Sequence, residues 1–244
     1  MLSATRGAFY NAVTADRRHD ARTSVKVLIA DDHPLFRDAL RRAVEHILPD
    51  AEVLESDSIA KLQLQVEHEG DADLLLLDLH MPGASGFSGL VHMRAHHPQL
   101  PVIVISGNED PGVMQRAIGH GASAYIPKSS SSTDMASAIA AVLDGDLWLP
   151  SGINTTSSLA PDEVETARRV RELTPHQFRV LMMLADGLLN KQIAYELGVS
   201  EATIKAHMTA ILKKLGVSNR TQAVVAAARL AIDPSMRVPV VEDD

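Results

Sequence analysis

Three aspartates, a serine and a lysine are placed along the first half of the chain where chemistry could use them: Asp31, Asp32, Asp78, Ser106 and Lys128. Asp78 is the most conspicuous, because it follows four consecutive leucines, Leu74 to Leu77. A charge at the edge of so apolar a segment costs desolvation energy unless something compensates it. Carboxylates brought together also repel one another and hold their protons more tightly. The usual remedies are a hard cation and a nearby ammonium. Mg²⁺ takes oxygen ligands and keeps several waters, which suits an open acidic pocket. Lys128 can pair with a carboxylate or with a bound phosphoryl group.

The elements that must position these groups are legible as an alternation. "VKVLIA" (25–30), "AEVLES" (51–56), "DLLLLD" (73–78), "PVIVIS" (101–106) and "ASAYI" (122–126) are short and rich in aliphatic or β-branched residues. Helical stretches lie between them, such as "PLFRDALRRAVEHIL", with Phe36, Leu40, Ala43, Val44 and Ile47 on one stripe. Five βα repeats imply a parallel sheet covered on both faces, with its chemistry at the carboxyl ends of the strands. The first strand ends in Asp31 and Asp32, the third in Asp78 and the fourth in Ser106; Lys128 follows the fifth. Any one of these acids alone would read as a surface residue opening a loop. The whole set at the same end of consecutive strands reads as a site.

The 244 residues, 45% hydrophobic and 22% charged, allow one large globular domain or two modest ones. No apolar run approaches the roughly 20 residues that span a bilayer, so no membrane partner is expected. Residues 1–24 carry arginines without an apolar signal core and read as a disordered extension. With no cysteine there is neither a disulfide framework nor a thiolate metal site, which fits a cytoplasmic protein. The net charge of −8 averages two opposite halves. Residues 24–150 hold 8 Lys+Arg against 18 Asp+Glu, whereas residues 168–232 hold 10 against 4. The basic segment is the candidate for a polyanion.

Residues 149–171, with "SGINTTSSLAPDEVE" at 151–165, are polar and read as a linker. Beyond it, four helices are signalled by Thr174-Pro175-His176-Gln177, a capping box, by Ser200 ahead of Glu201, and by Gly187, Gly198 and Gly216 as stops. In the segment 201–214, Ile204, Met208, Ile211, Leu212 and Leu215 share a stripe with His207 beside it. Glu201, Ala202, Lys205, Ala206, Thr209 and Lys213 lie away from it. A small, polar, lysine-bearing face is what a helix entering a major groove requires, although any solvated helix can show one.

"VLIADDHPLFRDAL", "LLLLDLHMPGASGFSGL", "VIVISG" and "GASAYIPKS" resemble the receiver domain of two-component response regulators. The resemblance implies a flavodoxin-like five-stranded parallel (βα)5 domain over 25–148. It makes Asp78 the phosphoacceptor for a sensor histidine kinase, with Lys128 and Ser106 gripping the phosphoryl oxygens. It assigns Mg²⁺ to Asp31, Asp32, Asp78 and the backbone carbonyl of His80, whose ring faces solvent. Pro82 and Gly86 would shape the following loop, and Tyr125 would be a switch aromatic turning inward when Ser106 moves. Ser129, rather than proline, follows Lys128, so the family's common cis Lys–Pro bond has no counterpart. A phosphatase of the haloacid dehalogenase type is weighed as an enzyme alternative, but His80 stands where its second aspartate would be.

"LTPHQFRVL", "GLLNKQIAYELGVSEATIKAHMTAILKKLGV" and "NRTQAV" resemble the LuxR-type helix-turn-helix, a small all-α four-helix domain over 172–234. By that resemblance Lys205, Ala206 and Thr209 face bases in double-stranded DNA, while Lys191, Thr203 and Lys213 meet phosphates. Arg220 braces the fold, and the free face of the last helix pairs two copies into a homodimer, at least in the active form. Thr209 and Leu189 depart from the common residue types. Residues 235–244 form an acidic tail. Together the two resemblances point to the NarL/FixJ type: a non-enzymatic transcriptional regulator whose DNA binding and dimerisation are controlled by phosphorylation. The opposite charges further suggest that the receiver shields the basic domain or keeps it monomeric. A regulator indifferent to phosphorylation and an interaction module without DNA binding are the competing classes; the intact acidic set argues against the first, Lys191, Lys205 and the caps against the second.

Overall fold

The computed structural model describes residues 24–153 and 159–231. The expected extension over 1–24 (Ser24 aside), the linker centre at 154–158 and the tail at 235–244 lie outside the described residues.

Strands β1 (Lys26–Ala30), β2 (Glu52–Ser56), β3 (Leu74–Asp78), β4 (Val102–Ser106) and β5 (Ala124–Pro127) form one parallel sheet in the order β2-β1-β3-β4-β5. Helices α1 (Pro34–Ile47), α2 (Ile59–His68), α3 (Ser88–His96) and α4 (Pro111–Gly119) make the return crossings, and α5 (Ser132–Leu143) follows the last strand. The alternation of side chains along each strand divides the core in two. Leu75, Leu77, Val102, Val104 and Tyr125 face α2, α3 and α4, while Leu74, Leu76, Ile103, Ile105 and Ile126 face α1 and α5. The four leucines of β3 are therefore split between two cores, and all five residues of the strand are buried. On α1, Leu40 and Val44 are buried, and Phe36, Ala43 and Ile47 pack at the margin of the same core.

The segment expected as linker contains a helix, α6 (Pro161–Arg171). It starts with proline at its first turn beside Asp162 and Glu163, and it ends among Arg168, Arg169 and Arg171, so its charges complement the helix dipole. Glu165 pairs with Arg168 and Arg169 one turn on. Its buried face is Glu163, Thr166, Ala167 and Val170. Such a stripe carries too little apolar character to register as a helical period, which is why composition suggested a linker.

Four helices follow: α7 (Pro175–Ala185), α8 (Asn190–Glu196), α9 (Glu201–Leu215) and α10 (Arg220–Ala228). The capping box is present, with Gln177 N–H donating to Thr174 Oγ1 at 3.3 Å and Thr174 N–H to Gln177 Oε1 at 3.1 Å. Gly216 ends α9 with φ at 64°, a left-handed cap that favours glycine. The core of this domain, including Phe178, Leu181, Ile193, Ile204, Ile211 and Ala223, is continuous with the α2–α4 side of the receiver-like sheet.

Candidate functional site

The strand register assembles the first site. Ala30 pairs with Leu77, Asp78 with Ile105, and Ser106 with Pro127. One residue further along β1 and β5 therefore places Asp31 and Lys128 at the carboxyl edge beside Asp78 and Ser106. Lys128 Nζ donates to Asp31 Oδ2 at 2.7 Å and to Asp78 Oδ2 at 2.9 Å. It also lies 4.4 Å from the centroid of the Phe36 ring, a cation–π contact that adds attraction without a competing charge. Burial pushes the ammonium toward its neutral form, but the hydrogen bonds to Asp31 and Asp78 outweigh it and hold the pKa above the ordinary lysine value. That answers how the charge after four leucines is tolerated. Asp78 is buried and already paired.

Asp31 is buried as well, and Asp32 sits half-buried at the rim. One ligand atom from each of Asp31, Asp32, His33 and Asp78 lies within 4.8 Å of the others. Three carboxylates supply hard oxygen donors of the type Mg²⁺ takes, so the donor set fits that ion. His33 was not singled out from sequence; its Nδ1 lies 2.7 Å from Asp32 Oδ1, and its position directly after the acid pair was the available signal. His80 N–H faces Asp78 Oδ1 at 3.3 Å, and its side chain is 62% exposed. Ser106 Oγ accepts from Asn108 N–H at 3.2 Å. The Tyr125 ring is wholly buried, in the inward position, and its hydroxyl donates to the Asn108 carbonyl at 2.6 Å. Burial pushes that phenol up to about 12.

The second site is a helix face. Ile204, Ile211 and Leu215 are buried, Met208 and Leu212 pack against them, and Lys205, Ala206, Thr209 and Lys213 are exposed. The face count made from sequence therefore matches the packing. Lys191 is exposed at the start of α8, and Thr203 is half-buried, its hydroxyl 2.9 Å from Ser200 Oγ. The Thr209 hydroxyl donates to the Lys205 carbonyl at 3.0 Å. Arg220 donates to the Leu188 carbonyl at 2.6 Å, a brace rather than a free cation. Leu189 occupies the N-cap of α8 without a side-chain acceptor and is 64% exposed.

Shielding of this face by the acidic domain, as the charge asymmetry suggested, does not occur in this arrangement. Among the described residues the two domains meet elsewhere, around α3, α4, α6 and α7, through an apolar contact that encloses Glu163 paired with Arg116 and His120. Long-range attraction between opposite net charges specifies no contact geometry, whereas that apolar surface does.

Known proteins share both halves. Residues 27–140 match the family model described as response regulator receiver domain, and residues 171–227 match bacterial regulatory proteins of the luxR family. A glycerol metabolism activator of Pseudomonas putida is 41% identical over 219 residues, covering 87% of this chain and 99% of the relative. The nitrate/nitrite response regulator NarL of Escherichia coli K12 is 30% identical, covering 82% of this chain and 93% of its own. Among solved structures, the RcsB response regulator of Salmonella typhimurium superposes with a TM-score of 0.50 at 26% identity, covering 83% of this chain and 97% of that one. A structure of two RcsB dimers bound to two parallel DNAs has the same TM-score at 25% identity, covering 86% and 100%.

Proposed function

Because the chain belongs to the transcriptional response regulators that join a receiver domain to a LuxR-type DNA-binding domain, we propose that Asp78 is its phosphoacceptor and α9 its DNA-reading helix. The family is one of transcriptional regulators, not enzymes. The observation that carries the site assignment is the convergence of Asp31, Asp78, Ser106 and Lys128 at one sheet edge, with Lys128 bridging the two carboxylates.

In the reaction we propose, a carboxylate oxygen of Asp78 attacks phosphorus in the phosphohistidine of a sensor kinase. The P–N bond breaks, an acyl phosphate forms, and the histidine leaves. Lys128 is already in contact with Asp78 and would meet a phosphoryl oxygen with its charge in place. Ser106 Oγ–H would turn from its local bond with Asn108 to donate to another. Asp31, Asp32, Asp78 and the His80 carbonyl would hold Mg²⁺, which screens the negative charge of the transferring group. The modified pocket would shift the population of the whole chain toward its active form.

On the DNA side, Lys205, Ala206 and Thr209 would face base edges; the small side chains allow close approach. Lys191, Thr203 and Lys213 would contact phosphates. RcsB binds DNA as dimers in the structure cited above, and we propose that this chain does the same in its active form, through α10, in the cytoplasm. Among the described residues no helix is long and apolar enough to cross a membrane.

The test is phosphate incorporation from acetyl phosphate and Mg²⁺ into wild type and Asp78→Asn, followed by DNA binding at several salt concentrations. Incorporation confined to the wild type, with tighter binding of the phosphorylated form, is the expected result. Incorporation that survives the substitution would sink the phosphoacceptor assignment. Equal DNA affinity in both forms would instead identify a regulator that works without phosphorylation.

A further inference from the structure

Glu163 lies on α6, outside both matched family models, and is nevertheless buried. Its carboxylate is claimed by two receiver residues. Arg116 on α4 donates through Nε to Oε1 at 2.9 Å and to Oε2 at 3.2 Å, and its Nη2 lies 2.9 Å from Oε1. His120 Nε2, fully buried at the end of α4, lies 2.6 Å from the same Oε1. Arg116 Nη2 also donates to the Ala231 carbonyl at 3.0 Å, just beyond α10. One guanidinium thus holds both ends of the output half. The other end of α6 is tied to the reading helix, since Arg169 donates to the Leu215 carbonyl and Lys214 to the Glu172 carbonyl.

Phe87 connects this cluster to the pocket. It closes the loop that leaves Asp78, and its N–H donates to the Leu230 carbonyl at 2.8 Å. Its ring lies 4.8 Å from the Arg116 guanidinium carbon and 5.1 Å from the His120 ring. Next to it, Ser88 Oγ contacts Met182 Sδ at 3.4 Å, and the His92 ring stacks on Phe178 at 4.2 Å. All of these receiver residues lie on one face, and that face is filled by the chain's own α6 and α7.

We propose that Arg116, His120 and Phe87 form a docking surface for Glu163, a latch that holds the output domain on the receiver and reports the state of Asp78 through the loop ending at Phe87. The latch leaves the reading helix free: Lys205, Ala206, Thr209 and Lys213 are exposed while it is closed. Phosphorylation therefore acts on the arrangement of the two domains, not on access to α9. The part that invokes phosphate rests on Asp78 being the phosphoacceptor. By linkage, whatever opens the latch also favours the modified receiver, in equal measure. A carboxylate buried between the two domains suits such a device, because losing the Arg116 guanidinium leaves an uncompensated charge, while burial holds His120 below its ordinary pKa as a neutral hydrogen-bond partner.

The chain has no cysteine, so cysteines introduced at exposed Ser137 and Glu196 can carry a fluorophore pair on the full chain. Glu163→Gln and Arg116→Gln are each expected to shift the docked-to-open ratio at least about tenfold toward open. The double variant should open no further than either single one. Affinity for a random-sequence duplex should change by less than about twofold, because the reading face is already free. Arg116→Lys, which keeps the charge and loses the fork, should lie between wild type and Arg116→Gln and serves if the neutral variants fail to fold. Unchanged energy transfer in the variants would overturn the latch, and so would a large gain in random-duplex affinity when Glu163→Gln opens it without phosphate. With the latch as proposed, any tighter binding of the phosphorylated chain must come from pairing of two copies. Phosphate incorporated at Asp78 with no change in energy transfer would leave the phosphoacceptor standing and overturn the coupling. A chain that incorporates none would overturn the phosphoacceptor, while the Glu163 and Arg116 comparison still decides the latch.

Discussion

Lys128 and Lys205 carry the same ammonium in opposite settings. Lys128 is held between Asp31 and Asp78 under the ring of Phe36, its side chain only 20% exposed. Lys205 stands in solvent, and among the described residues no carboxylate pairs with it, nor with Lys191 or Lys213. In the first setting the partner charge is internal, so the ammonium is paired before any ligand arrives and its geometry is pinned, while the three carboxylates leave the site acidic enough for a cation. In the second nothing internal fixes the side chain and nothing has to be displaced, which suits the DNA contact proposed for it. A pocket that does covalent chemistry needs the first arrangement; a surface that must slide over many phosphates needs the second.

The sharpest way to break this contrast is to delete both lysines in turn. Lys128→Ala leaves two buried carboxylates without their cation and should cost about 3 kcal/mol of stability, with part of the loss restored by millimolar Mg²⁺. Urea unfolding with and without the ion measures it. A loss below about 1 kcal/mol would mean the carboxylates are satisfied some other way.

A second way uses the docking face, where His92 is buried with no such partner. Burial holds its pKa down at about 3, against an ordinary 6.5, with His96 and His97 adding repulsion. The unfolded chain thus binds a proton that the folded chain refuses. Stability is complete above pH 6.5 and falls as pH drops through the window toward 3, by about 2 kcal/mol at pH 5. Thermal unfolding between pH 7.5 and 5 should show the slope, and His92→Leu should flatten it.

Lys205→Ala should give the converse of Lys128→Ala. Unfolding free energy should move by less than about 0.5 kcal/mol, while DNA affinity drops about fivefold; if the contact is to phosphate, the salt slope falls by about one. The smallest effect is expected at Leu189. Leu189→Ser supplies the missing N-cap acceptor of α8 and should stabilise the domain by about 0.5–1 kcal/mol in the same assay.

The pocket was legible in the sequence for a simple reason. Strand ends in a parallel sheet share an edge, so Asp31, Asp78, Ser106 and Lys128 could be placed together once the strands were read. The division of α9 into a buried and an exposed face was legible because Ile204, Ile211 and Leu215 carry a strong helical period. Glu163 was not. Its burial is decided by Arg116 and His120, far away in sequence and in another domain, and nothing in "APDEVETARR" distinguishes it from Asp162 or Glu165 beside it. Pro161, the acids after it and the arginines after those did mark a helix, but its buried stripe is too polar to show as one. His33 was overlooked for a milder reason, as a neighbour of the acids and not an acid itself.

One feature of the fold bears on timing. With α9 uncovered while the halves are latched, the chain can hold onto arbitrary duplex through its free lysines, at the weak affinities typical of sequence-independent contacts. A molecule already riding along the chromosome has no cell-wide search left to make when a signal comes. On the proposed latch, the delay between signal and response then includes the release of Glu163, a local side-chain step that precedes any pairing of two copies.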